Sequence, residues 1–189
     1  MMNKRSFIQR ASCVYGACLC GFSSLAFSAT ANDKESPSLP KKEEDERLTL
    51  VQEYLSMLLI NLQQDNSEKQ NRKTIKQLSQ IHYKQLNMDE ILKPFENNLN
   101  GFIRFLEKEW GWKVNYNVDA QMLIADENKN YCVCPMINHK SGIKPGTLCY
   151  CSEGFAEQMF SKVVGHPIKA KVIASIQRGD TTCKYQITL

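Results

Sequence analysis

The sequence predicts an α+β domain in which N-terminal helices pack on a mostly antiparallel sheet, with one further helix near 153–164. Three observations lead there. Apolar residues recur at helical spacing before residue 108, and period-two alternation takes over after residue 112. One more helical stretch stands among the alternating runs.

In the first helix, over roughly 47–64, Leu48, Val51, Leu55, Leu58, Leu59 and Leu62 form the stripe. A second helix, about 67–86, carries only Ile75, Leu78, Ile81 and Tyr83, and so thin a stripe predicts a surface position. Asn87 with Glu90 reads as a capping box for a third helix reaching about Lys108, with Pro94 kinking it beyond the first turn. Gly111 ends that pattern. Trp110 and Trp112 on either side of it are expected to pack in the core.

Val114, Tyr116 and Val118 alternate with polar residues as in a half-buried strand, and a second strand is expected over Gln121–Asp126. Asn128-Lys129-Asn130 reads as a turn, Tyr131–Pro135 as short and extended, and 136–148 as a loop with Gly142, Pro145 and Gly146. Ser152 is placed to cap the later helix, with Phe155, Met159, Phe160, Val163 and Val164 facing inward and Gly165 and Pro167 ending it. Two strands follow, one through Ile168, Ala170, Val172, Ala174 and Ile176, the other through Cys183, Tyr185, Ile187 and Leu189. Arg178-Gly179-Asp180 turns between them.

Residues 1–31 have the layout of an export signal. Lys4, Arg5 and Arg10 precede a moderately apolar run from Ala11 to Phe27, and Ala29-Thr30-Ala31 supplies a cleavage pattern. Asn3-Lys4-Arg5-Ser6-Phe7 resembles a twin-arginine signal with lysine at the first arginine position. Cys18 offers a lipoprotein reading, with Tyr15 a poor fit to the usual aliphatic position. The expectation is a periplasmic or extracellular protein. Residues 32–46 are polar, contain Pro37 and Pro40, and read as a flexible linker to a single domain over 47–189. The chain has 189 residues and a net charge of +4. Removing Lys4, Arg5 and Arg10 leaves 21 basic against 20 acidic residues, without a basic stripe, which argues against nucleic acid as a partner. No second apolar run of spanning length follows the first, so no stable membrane span is expected after the signal.

Five cysteines lie beyond the signal: Cys132, Cys134, Cys149, Cys151 and Cys183. Four of them form two Cys-x-Cys pairs. Residues two apart in an extended segment point to one side, so each pair presents two sulfurs together. If the pairs meet, Cys132, Cys134, Cys149 and Cys151 form a site for zinc or another thiophilic metal. Disulfides, suited to an oxidising compartment, and free buried thiols are the competing states. The odd count leaves at least one thiol over, and Cys183 on the last strand is the expected leftover. Glu153 is a candidate general acid or base, and His139 a candidate fifth ligand or proton carrier. No phosphate-binding glycine loop, G-x-S-x-G elbow or H-E-x-x-H is present.

The run Cys151-Ser152-Glu153-Gly154-Phe155, the helix ending Met159-Phe160 and Gly165, and the closing Arg178-Gly179-Asp180 and Cys183-Lys184-Tyr185-Gln186-Ile187 resemble the L-2-amino-thiazoline-4-carboxylic acid hydrolase family over roughly 130–189. They resemble, more distantly, the four-vinyl-reductase type of small-molecule-binding domain. The resemblance implies a cleft between helices and sheet that holds a small-molecule ligand or substrate, with cysteines at its edge. Two readings follow. One is hydrolysis of a thiazoline ring at a carbon–nitrogen or carbon–sulfur bond, with Cys151, Glu153 and His139 as the catalytic candidates. The other is non-catalytic binding of a metal or small ligand.

Overall fold

The computed structural model describes residues 41–189. The export-signal reading of 1–31 and the linker reading of 32–40 fall outside the described residues. Helix α1 spans Lys41–Asp65. It therefore takes in the last six residues assigned to the linker, because Lys, Glu and Arg are good helix formers and no proline lies between Pro40 and Asp65. Helix α2 is Glu68–Gln85, with the Ser67 side chain accepting from the Gln70 N–H. The next expected helix is broken into α3 (Met88–Leu92), a 3₁₀ turn at Lys93–Phe95 and α4 (Leu99–Phe105), which runs into a π-helical turn at Leu106–Trp110. Pro94 marks the break. No capping box forms, because Asn87 is left-handed at φ 51° and its side chain caps nothing.

Strands β1 (Lys113–Asn117), β2 (Met122–Asp126), β3 (Lys169–Ala174) and β4 (Lys184–Thr188) form one sheet in the order β1-β2-β4-β3. Every pairing is antiparallel, as expected of an α+β fold. Helix α5, Cys149–Val164, lies between β2 and β3 in the chain and ends at Gly165, left-handed at φ 80°. It begins four residues earlier than expected. A 3₁₀ turn at Gly146–Leu148 leads straight into it, so Ser152 lies inside the helix instead of capping it. Tyr131–Pro135 joins no strand.

The main core joins α5 to the sheet and the short helices: Met88, Leu92, Phe102, Leu106, Leu123, Met159, Phe160, Val163 and Ile187 are almost completely buried. Trp112 is buried there and stacks on Tyr185, with Trp110 packed against its edge. A second cluster joins Leu59 of α1, Ile75 of α2, Cys132, Ile137, Leu148 and Tyr150. Helix α2 is not a surface helix. Its inner face is Asn71, Ile75, Ser79 and Tyr83, while Leu78 and Ile81 are exposed. On α1, Leu59 is buried and Leu55 and Leu62 pack beside it, whereas Leu48, Val51 and Leu58 face outward. Among the described residues no helix is long and apolar enough to cross a membrane.

Candidate functional site

The segment from Glu127 to Pro145 has no helix or strand. Side chains of α1 hold it in place: the Gln52 amide donates to the Pro135 carbonyl at 2.7 Å, and the Asn138 amide donates to Glu53 at 2.7 Å. At its end the Thr147 hydroxyl donates to Gln63 at 2.7 Å. These bonds set Cys132 and Ile137 down on Leu59 and Ile75.

All five described cysteines are free of disulfide bonds. The expectation that both Cys-x-Cys pairs project sulfurs to one side fails at the second pair. Cys149 and Cys151 sit in the first turn of α5, and residues two apart on a helix lie roughly 200° apart around its axis. Cys149 accordingly packs against the main core, where its sulfur lies 2.8 Å from the Ser175 hydroxyl. Cys151 packs against the second cluster, as does Cys134.

Electrostatic coupling defines an inner group of three thiols and links it to Cys134 and Cys151. Negative charge on Cys132 raises the pKa of Cys149 and Cys183, and charge on Cys149 raises that of Cys183. Cys132, Cys149 and Cys183 are thus within electrostatic reach of one another, and the Glu127 carboxylate acts on both Cys149 and Cys183. Cys183, the expected leftover, belongs to the inner group. Cys134 responds to Cys132, then to Cys151 and Cys149. Burial is the largest influence throughout, pushing Cys134 and Cys183 up to about 12 and Cys151 to about 11. Cys149 is also raised, against the opposing pull of Ser175 and Arg178. These thiols stay protonated at neutral pH, so none is an activated nucleophile. Among the described residues no three His, Cys, Asp or Glu side chains are already arranged to hold a metal ion.

Glu153 is completely buried. Its Oε1 accepts the Val172 N–H at 2.9 Å and meets the Arg72 guanidinium at 3.5 Å. One helical turn later, Glu157 accepts the Ala170 N–H at 3.1 Å and pairs with Lys76 at 2.6 Å. Strand β3 is a sheet edge, and Ala170 and Val172 turn their amides away from β4 toward these carboxylates. Two glutamates of α5 thereby satisfy the edge, and two cations of α2 balance them. Burial, the largest influence, raises the Glu153 pKa, while Val172 and Arg72 oppose it. Its Oε2 has no hydrogen-bond partner.

Around this stitch Arg72 and Arg178 both lie over the Tyr150 ring, at 4.7 and 4.8 Å from its centroid. The Tyr150 hydroxyl donates to Glu68, which Arg72 also bridges at 2.9 Å. Beside the inner thiols, the buried Tyr185 hydroxyl donates to Glu127 at 2.8 Å. Burial and Glu127 hold that phenol well above its usual range. Sequence reasoning missed Glu127, Ser175, Arg72 and Arg178. Each stood in or beside an element it had marked, Arg72 in the second helix, Glu127 before the Asn128 turn, and Ser175 and Arg178 at the Gly179 turn, but none carried a signal of its own. His139 lies on an exposed part of the loop.

Neither an open groove of about 600 Å³ lined by Tyr83, Asn97, Gln158, Lys162 and His166, nor a cavity of about 120 Å³ lined by Leu59, Leu62, Asn71, Ile75 and Thr147, has a cysteine in its wall. The cleft with cysteines at its edge, implied by the hydrolase resemblance, is not among these two.

A family model described as "Family of unknown function (DUF6144)" matches residues 40–189. The chain belongs to the DUF6144 family. The match takes in every described helix and strand and all five cysteines of the cluster. No curated protein matches the chain. Among solved structures it is similar to a trafficking protein particle complex subunit 3 from Naegleria fowleri, solved covalently bound to palmitic acid. The identity is 12%, the TM-score 0.40, and the alignment covers 77% of this chain and 96% of that one.

Proposed function

We propose that this domain is a non-catalytic binding module that takes up a thiophilic metal ion such as zinc through Cys132, Cys149 and Cys183. The observation that carries the reading is the electrostatic coupling of three thiols, from a loop, a helix start and a strand end, with the buried Glu127 acting on two of them, Cys149 and Cys183. Thiolate ligands suit such an ion, and three sulfurs leave a further coordination position for Glu127, water or a small ligand. The side chains are not yet in ligating positions, so binding draws the irregular Glu127–Pro145 segment inward. Because burial holds Cys149 and Cys183 protonated, uptake releases protons and strengthens as pH rises.

The test is titration of the reduced protein with Cd²⁺, a zinc surrogate with a thiolate charge-transfer band. One equivalent should saturate the band. Cys132→Ser and Cys183→Ser should each abolish it, and Cys134→Ser and Cys151→Ser should leave it. No band from the reduced, folded protein, or equal losses in all four variants, would refute this ligand set.

The unpartnered Oε2 of Glu153, one turn from the cysteines, favours a second reading: a hydrolase-like protein opening a small thiazoline carboxylate, as the family resemblance implies. There Oε2 would serve as the proton acceptor. Turnover of 2-aminothiazoline-4-carboxylate that disappears in Glu153→Gln, with an unchanged circular dichroism spectrum, would support it. Absence of turnover in the metal-loaded and metal-free protein leaves the binding reading.

A further inference from the structure

Helix α1 presents two unlike sides. Leu55, Leu59 and Leu62 hold it to the second cluster. Leu50, Val51, Tyr54, Met57 and Leu58 are instead exposed, from 44% at Leu58 to 72% at Tyr54, and helical spacing puts them within about 120° of arc around the axis. Val51, Tyr54, Leu58 and Asn61 follow the alternating three- and four-residue steps of a helix–helix seam, with Leu50 and Met57 beside it. Apolar side chains gathered in this way differ from the scattered single ones that any surface carries.

The chemistry of the face selects its occupant. From Leu48 to Gln64 the only charged residue is Glu53, and the Asn138 amide donates to it. A two-fold axis brings like residues close together, so a self-contact requires a centre free of like charge, and this face meets that condition. A charged peptide finds no opposite charge here to pair with. A second α1 also carries the matching spacing. The five side chains expose on the order of 500 Å², so two copies bury on the order of 1,000 Å², near the lower limit for a specific interface and enough for a reversible dimer.

We propose that this face of α1 pairs with the same face of a second copy, antiparallel about a two-fold axis at the level of Ser56. In that register Tyr54 comes opposite the partner's Leu58, and Val51 opposite the partner's Asn61. Each tyrosine ring then meets an aliphatic side chain, whereas a parallel pairing would set the two rings against each other. Asn61 is the one polar residue of the seam and penalises other registers, in which it would face its own copy or a larger apolar group. The contact uses no cysteine, so it stands whether or not the thiols bind metal.

The experiment is sedimentation velocity of the reduced, metal-free full chain over a wide concentration range. A reversible monomer–dimer equilibrium is expected. Tyr54→Lys and Leu58→Glu should each raise its dissociation constant by about tenfold or more. The double variant should regain the dimer, because antiparallel pairing sets each lysine opposite the partner's glutamate. Ile81→Lys, which removes a comparably exposed apolar side chain of α2, should change nothing. All these positions are exposed, so an unchanged circular dichroism spectrum is expected throughout. A monomer at every concentration, or a monomer that floats with phosphatidylcholine vesicles, would overturn the proposal. So would a dimer indifferent to Tyr54→Lys and Leu58→Glu, equally weakened by Ile81→Lys, or not regained in the double variant. The Cd²⁺ titration can succeed or fail independently of this result.

Discussion

The carboxylate of Glu153 enters a place closed to solvent and finds there the Val172 amide and the Arg72 guanidinium. A charge in such a place persists when paired and hydrogen-bonded, and this partnership gives Glu153 a structural task irrespective of chemistry. The residue was conspicuous in the sequence beside Cys151, yet its partners lie on α2 and β3, 81 positions and 19 positions away along the chain. Gly154, its neighbour, is where α5 meets α2. An added Cβ would press into the Lys76 carbonyl and lie 2.5 Å from the Ser79 hydroxyl. Both positions are on a helix with little freedom to give way, since Ser79 is itself fully buried. Gly154→Ala is therefore expected to destabilise the fold by about 1–3 kcal/mol, the usual range for overpacking, read as a lower urea midpoint at unchanged m-value.

Among the elements, α5 was legible at its end and not at its beginning. Gly165 followed by Pro167 announced the stop, and Gly165 is indeed left-handed with its N–H bonded to the Ser161 carbonyl. Gly165→Ala should cost about 1–2 kcal/mol through the left-handed backbone alone, seen as a lower melting temperature with the near-ultraviolet spectrum preserved. The start carried a misleading signal. Ser152 looked like a cap, but the 3₁₀ turn at Gly146–Leu148 supplies the helical entry, and the cysteine pair becomes the first helical turn. A thin apolar stripe likewise hid the burial of α2, though not the helix itself. Its buried face uses Asn71 and Ser79, whose small polar side chains admit close packing against Gly154 and the satellite cluster, so apolar periodicity undervalued it. The antiparallel strands were read correctly because one buried face imposes alternation in the sequence itself.

For the whole molecule, the raised thiols set a pH dependence. In the unfolded chain a cysteine ionises near its ordinary value of about 8.5. In the fold, Cys151 holds its proton to about 11 and Cys134 and Cys183 to about 12. Above the unfolded value the unfolded chain binds fewer protons than the fold, so stability falls as pH rises toward 11–12. The reduced protein should show a falling denaturation midpoint across this range, and Cys134→Ser, relative to its own value at pH 7, should show a shallower fall.

The sequence by itself determined the class of fold, the antiparallel strands, the end of α5 and the residue types available for chemistry, because burial on one face writes its period directly into neighbouring positions. Which sulfurs are neighbours was decided only by the tertiary structure. A helix in place of an extended segment turns Cys149 and Cys151 apart, a strand end brings Cys183 in, and an unpaired sheet edge claims Glu153. Each of these depends on groups distant in the chain, and local spacing carries no record of them.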